Sequence, residues 1–146
     1  MDPTVLPPSA GYSGTPLPQK LGIKPGHRVR IENAPEGFSR TLGDLPPGTT
    51  LVEAPVAAGL DLVLFFTREA QELRREFARL ASALRPAGML WVAWPKRASK
   101  VRTDLTEDVV RAVALEGGMV DTKVCAVDAV WSGLRLVYRL RDRPRP

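Results

Sequence analysis

A single α/β domain built on a mostly parallel sheet is what the sequence predicts, and three observations carry that prediction. Two runs, residues 60 to 66 and residues 89 to 94, are almost continuously apolar, as strands buried on both faces must be. Between them, residues 68 to 84 repeat apolar side chains every three or four positions, the spacing of an amphipathic helix. The chain then closes on two β-rich segments near enough to pair as a hairpin. Its 146 residues suit one domain. A chain of that size buries roughly 70% of its unfolded surface, so its core needs no disulfide or metal.

Residues 1 to 27 hold six of the fourteen prolines together with Gly11, Gly14, Gly22 and Gly26, a composition that favours extended backbone and turns. They form a Pro/Gly-rich arm. Residues 1 to 10 are expected as a tail, whereas Tyr12, Leu17, Leu21 and Ile23 need burial, over the sheet as a lid or against a partner. From Arg28, Val29 and Ile31 alternate into a short strand that ends in Asn33-Ala34-Pro35-Glu36-Gly37-Phe38, with Pro35 suited to the first turn of a short helix. Residues 50 to 53 read as a second strand and residues 60 to 66 as the third. In the long helix Ala70, Leu73, Phe77, Leu80, Ala81 and Leu84 face inward while Glu69, Glu72, Arg74, Arg75, Glu76 and Arg79 face water, and Arg85-Pro86-Ala87-Gly88 stops it. After the strand at 89 to 94 comes a basic loop, then a helix capped by Asp104 with Glu107 in the reciprocal position, ending at Gly117-Gly118. Residues 119 to 130 and 134 to 140 form the hairpin, joined through Trp131-Ser132-Gly133. The domain therefore spans 28 to 141, with a basic tail at 142 to 146. Strands alternating with helices imply right-handed crossovers and a Rossmann-like three-layer sandwich whose mostly parallel sheet ends in an antiparallel pair.

Composition narrows the function classes. No apolar run reaches the roughly 18 residues of a membrane span. The amino terminus lacks a signal-peptide pattern and Cys125, the one cysteine, has no partner for an internal disulfide, so the cytoplasm is the expected compartment. The net charge of +5 arises entirely after residue 60. Lys96, Arg97, Lys100 and Arg102 crowd one loop, and Arg135, Arg139, Arg141, Arg143 and Arg145 follow along the tail. Either cluster could meet phosphate. The tail arginines have no interleaved aromatics beyond Tyr138, and no nucleic-acid-binding signature occurs, so nucleic acid is not the expected partner.

The segment from Asp61 through the long helix to Leu84-Arg-Pro-Ala-Gly-Met-Leu-Trp-Val resembles the second half of class I S-adenosylmethionine-dependent methyltransferases, and the closing hairpin matches that fold too. The resemblance implies a methyltransferase-like topology, here lacking one βα unit before residue 60. The strings Gly11-Tyr-Ser-Gly-Thr-Pro-Leu-Pro, Leu21-Gly-Ile-Lys-Pro-Gly, Asn33-Ala-Pro-Glu-Gly-Phe, Trp94-Pro-Lys and Thr103-Asp-Leu-Thr-Glu look like a bacterial domain-of-unknown-function family across nearly the whole chain. That kinship implies no activity. Methyltransferases hold their cofactor on a glycine-rich turn after the first strand, because glycine lets backbone approach the ligand closely. Here the turn keeps one glycine, Gly37, and Pro35 removes an N–H that could have bonded a ligand.

Ligands of open α/β sheets sit outside the carboxyl ends of the strands near the switch in strand order. That edge supplies the candidate ligand-binding residues: Asn33 and Glu36 after the first strand, Glu53 after the second, Thr67 and Arg68 after the third, and Trp94, Lys96, Arg97 and Lys100 after the fourth. Glu53 stands where a ribose-binding acid is expected in such folds. Trp91 and Trp94, three apart on one strand, face opposite sides of the sheet. His27 precedes the first strand, at the end opposite the candidate site, and reads as a turn residue. Cys125, in an apolar β segment, reads as packing. No catalytic residue and no metal site is expected, and no string for a nucleophilic serine or a phosphate loop occurs.

The expectation is a non-catalytic binding or interaction module that carries a small anion near Lys96 to Lys100. Protein partners or a homodimer would use the arm or the hairpin. No cofactor is expected from the residues. The alternatives are a small methyltransferase holding S-adenosylmethionine through Asn33, Glu53 and Trp94, and a nucleic-acid accessory protein using the basic tail.

Overall fold

The computed structural model describes residues 14 to 53 and 58 to 140. Tyr12, the start of the arm and the basic tail at 142 to 146 lie outside the described residues. In order, the elements are α1 Leu17–Leu21, β1 Arg28–Glu32, α2 Phe38–Leu42, β2 Thr50–Leu51, β3 Leu60–Phe66, α3 Ala70–Ser82, β4 Leu84–Pro95, a 3₁₀ turn Arg97–Ser99, α4 Glu107–Glu116, β5 Met119–Ala126 and β6 Trp131–Tyr138. They build one six-stranded sheet in the order β2-β1-β3-β4-β6-β5, in which the first four strands are parallel and β6 alone is reversed. The α/β class, the parallel sheet and the closing hairpin are as the sequence predicts.

Helices cover both faces. Along β3, Val63 and Phe65 pack with α3 and α4, while Leu62, Leu64 and Phe66 pack with α1 and α2. This is why its apolar run shows no alternation. Trp91 and Trp94 fall in opposite layers, and the Trp91 indole N–H donates to the Leu21 carbonyl at 2.8 Å.

Five local expectations need correction. The arm is not extended throughout: α1 starts on prolines, which the first turn of a helix tolerates, and ends at left-handed Gly22, and its Leu21 is fully buried beside Ile23. The arm from Leu17 is therefore part of the core. Pro35 does not open α2, which begins at Phe38 after left-handed Gly37. Residues 85 to 88 neither end the helix, which stops at Ser82 with Ala83 as its cap, nor precede the strand, which begins at Leu84. They are a bulge inside β4, whose pairing with β3 jumps from Leu60↔Leu84 to Leu62↔Met89. Asp104 does not cap α4. Thr106 does, its Oγ1 accepting from Val109 N at 3.2 Å, whereas Asp104 Oδ1 accepts from Ala70 N at 2.8 Å and so closes the start of α3. The hairpin turns before Trp131, where Asp128 Oδ1 takes the N–H groups of Val130 and Trp131, both at 2.8 Å.

Candidate functional site

The strand order reverses between β1 and β3, so the crevice of an open α/β sheet falls at the carboxyl ends of those two strands. The residues there are already bonded to one another. Asn33 adopts a left-handed φ of +60° and its Nδ2 donates across the crevice to the Phe66 carbonyl at 3.2 Å. Beneath it the Phe38 and Phe66 rings meet edge to face at 5.0 Å, and Phe66 meets Trp131 in the same way at 5.1 Å. Trp131, half-buried, thus packs against the core on that side. Thr67, 3% exposed, bonds Glu72 Oε1 at 2.5 Å and receives the Glu69 N–H.

Glu32, the last residue of β1, is clamped rather than available. Arg79 of α3 donates both Nη1 (3.0 Å) and Nη2 (2.8 Å) to its carboxylate, and Arg30 Nε adds a bond of 2.5 Å. The Arg79 hydrogen bonds hold the Glu32 carboxyl below its ordinary range, burial opposing them. Glu36 and Glu53, in the segments that follow β1 and β2, are exposed.

One flank along, the loop from the end of β4 to the start of α4 encloses a cleft of about 700 Å³. Trp94, Pro95 and Leu105 make its buried wall, Ser132 of β6 closes one side, and Lys96, Arg97, Lys100 and Arg102 line its rim. Thr103 and Asp104 tie this loop to α3 through Thr103 Oγ1 to Arg68 O at 2.7 Å and Asp104 N to Arg68 O at 3.4 Å. The two carboxylates on the cleft are committed elsewhere: Asp104 to Ala70 N–H, and Glu107 to Arg111, which also pairs with Asp108 and Asp121. Arg97, Lys100 and Arg102 make no side-chain hydrogen bond or ion pair with another described residue. Positive charge therefore dominates the cleft.

The candidate residues fall into two groups. Trp94, Lys96, Arg97 and Lys100 meet in the cleft. Asn33, Glu36, Glu53, Thr67 and Arg68 do not line it. Among residues not marked as candidates by the sequence, Thr103, Asp104 and Ser132 shape the cleft, and Arg79 clamps Glu32. Asp104 reads in the sequence as the cap of the following helix, with Glu107 in the reciprocal position. Arg79 lies 47 residues from Glu32, too far for any local pattern to disclose. His27 sits in its turn, its Nδ1 accepting from Lys24 N at 3.1 Å. Cys125 is half-buried and burial raises its thiol, against the milder pull of Lys20, Lys123 and Arg135, as expected of a packing residue. Among the described residues no group of His, Cys, Asp or Glu has the makings of a metal site, and no helix is long and apolar enough to cross a membrane.

A family model described as protein of unknown function (DUF3052) matches residues 19–140. No curated protein matches the sequence. Solved structures do resemble the fold. A putative type 11 methyltransferase from Sulfolobus solfataricus superposes with a TM-score of 0.63 at 11% identity, covering 88% of this chain and 93% of its own. A SAM-dependent methyltransferase from Aquifex aeolicus gives 0.57 at 14% identity over 81% and 85% of the two chains. Magnesium protoporphyrin IX methyltransferase from Synechocystis, solved with bound SAM, gives 0.55 at 12% identity over 84% and 74%. At such identities the likeness is one of fold.

Proposed function

From the membership of this chain in the DUF3052 family of unknown function, and from its methyltransferase-like fold, we propose that it is a non-catalytic binding module which takes a small anion in the cleft between β4 and α4. The observation that carries this reading is the trio Arg97, Lys100 and Arg102. Three cations without a partner among the described residues line a cleft whose only carboxylates are already bonded elsewhere.

An adenosyl cofactor fits the switch point poorly. Asn33 bonds across the crevice to Phe66, whose ring packs edge to face on Phe38, Pro35 offers no N–H, and Glu32 is held by two arginines. S-adenosylmethionine also carries a sulfonium and an ammonium against one carboxylate, so the cationic cleft would not attract it. The residues that line the cleft support binding and orientation of an anion.

A thermal-denaturation panel tests the proposal with sulfate, orthophosphate, S-adenosylmethionine and S-adenosylhomocysteine. A ligand at about a hundred times its dissociation constant stabilises the fold by about 2.7 kcal/mol. At this chain length that raises the midpoint by roughly 5 to 10 °C. The anions are expected to raise it and the adenosyl compounds to leave it unchanged. A rise with the adenosyl compounds alone would make the chain a methyltransferase with an atypical cofactor turn.

A further inference from the structure

Lys100 follows the Arg97–Ser99 turn with φ +63° and ψ +11°, in the left-handed region. Glycine adopts that conformation freely and lysine does not, yet lysine stands there. Its backbone N–H closes the turn onto the Arg97 carbonyl at 3.1 Å, a bond that any residue but proline would supply. Its ammonium meets no other described residue, so nothing in the fold accounts for the side chain. Arg97, Lys100 and Arg102 nevertheless all line the same cleft, Lys100 at the residue that closes the turn. Backbone strain of this kind is kept where a side chain must be aimed.

The number of unpaired cations bears on the ligand. A single carboxylate saturates one guanidinium fork and leaves the other two positive charges of the cleft uncompensated. Two linked phosphates supply enough anionic oxygens for two arginine forks and a lysine point charge together. We infer that the cleft binds a diphosphate group, and that Lys100 is the specificity-determining residue that distinguishes it from a single phosphate. This rests on the anion-binding reading above. Inorganic pyrophosphate and the diphosphate of a nucleotide share the chemistry.

Isothermal titration of the full chain with pyrophosphate, orthophosphate and ADP, on the native sequence and on Lys100→Gly, decides the matter. Pyrophosphate is expected to bind at least tenfold tighter than orthophosphate. In Lys100→Gly that preference should shrink to a few-fold, while the ligand-free thermal midpoint rises because glycine relieves the left-handed backbone. A purely structural lysine would move the midpoint and leave the preference intact. ADP equal to pyrophosphate assigns the diphosphate alone, ADP tighter adds the nucleoside, and ADP weaker assigns the free ion. Orthophosphate as tight as pyrophosphate, or an unchanged preference in Lys100→Gly, overturns the inference and leaves the anion cleft standing. Failure of all three ligands to bind overturns both.

Discussion

Glu32 illustrates how much one side chain can hide from its sequence. Its neighbour Arg30 is two residues away and lies on the same face of β1, a pairing that strand periodicity makes visible. Its stronger partner, Arg79, arrives from α3 and reaches a carboxylate that is only 12% exposed. The expected consequence is acid sensitivity. Because the folded-state pKa is lowered, the stabilisation is fully present above the unfolded value near 4.5 and is lost as pH falls through the lower folded value. Glu32→Gln should therefore cost about 1.5 to 3 kcal/mol at neutral pH, the worth of hydrogen bonds to a charged group. The deficit should shrink toward zero as the native protein titrates below pH 4.5. Urea unfolding at neutral and acid pH measures this, and a deficit that stays constant with pH would assign the loss to packing. Asn33 was legible as a site residue because it ends a strand at the switch point. That its amide would close the crevice was not, since the Phe66 carbonyl it meets comes from another strand.

Elements were easier to place than their ends. The apolar period of α3 and the continuous runs of β3 and β4 report burial, which the final packing shares with the sequence. Gly117 also ended α4 where expected, and a Cβ there would lie 2.3 Å from the Phe77 ring, so close helix packing as well as turn chemistry calls for glycine. Two capping residues within one short segment defeat a local reading of caps. In Asp104-Leu105-Thr106 the aspartate bonds the first N–H of α3 while the threonine caps α4, and only the tertiary fold can say so. Asp104→Ala should accordingly free the Ala70 N–H and lower stability by about 1 kcal/mol, the usual worth of such a cap. Asp104→Asn, which keeps an acceptor, should recover most of it. Thermal midpoints of the two variants give the comparison. Equal losses would mean that the carboxylate acts through its charge rather than as an acceptor. The Rossmann-like order was legible for the same reason as the strands, whereas the bulge at residues 85 to 88 was not, because Pro86 and Gly88 read as a stop whether the chain leaves the sheet or merely kinks within it.

At the scale of the whole molecule, the sheet must end somewhere, and its two edges end differently. β2 is two residues long, too short to template another strand. β5 is eight residues long, which leaves an edge on which a second chain could build. Two features work against that. Its pairing with β6 slips between Asp121 and Lys123, a bulge that bends the edge, and Lys123 stands exposed beside it, its Nζ reaching back to the Lys20 carbonyl at 3.2 Å. A charge on an edge strand must lose water before a second strand can dock. The next residue, Val124, is 49% exposed, so the lysine interrupts what would otherwise be an adhesive run. The native chain is thus expected to sediment as a monomer. Lys123→Val should shift it toward dimers and larger species as concentration rises, with helix and strand content unchanged by circular dichroism. If Lys123→Val remains monomeric, the bulge alone guards the edge. If the native chain itself dimerises while Lys123→Val does not alter the equilibrium, association runs through a surface other than β5.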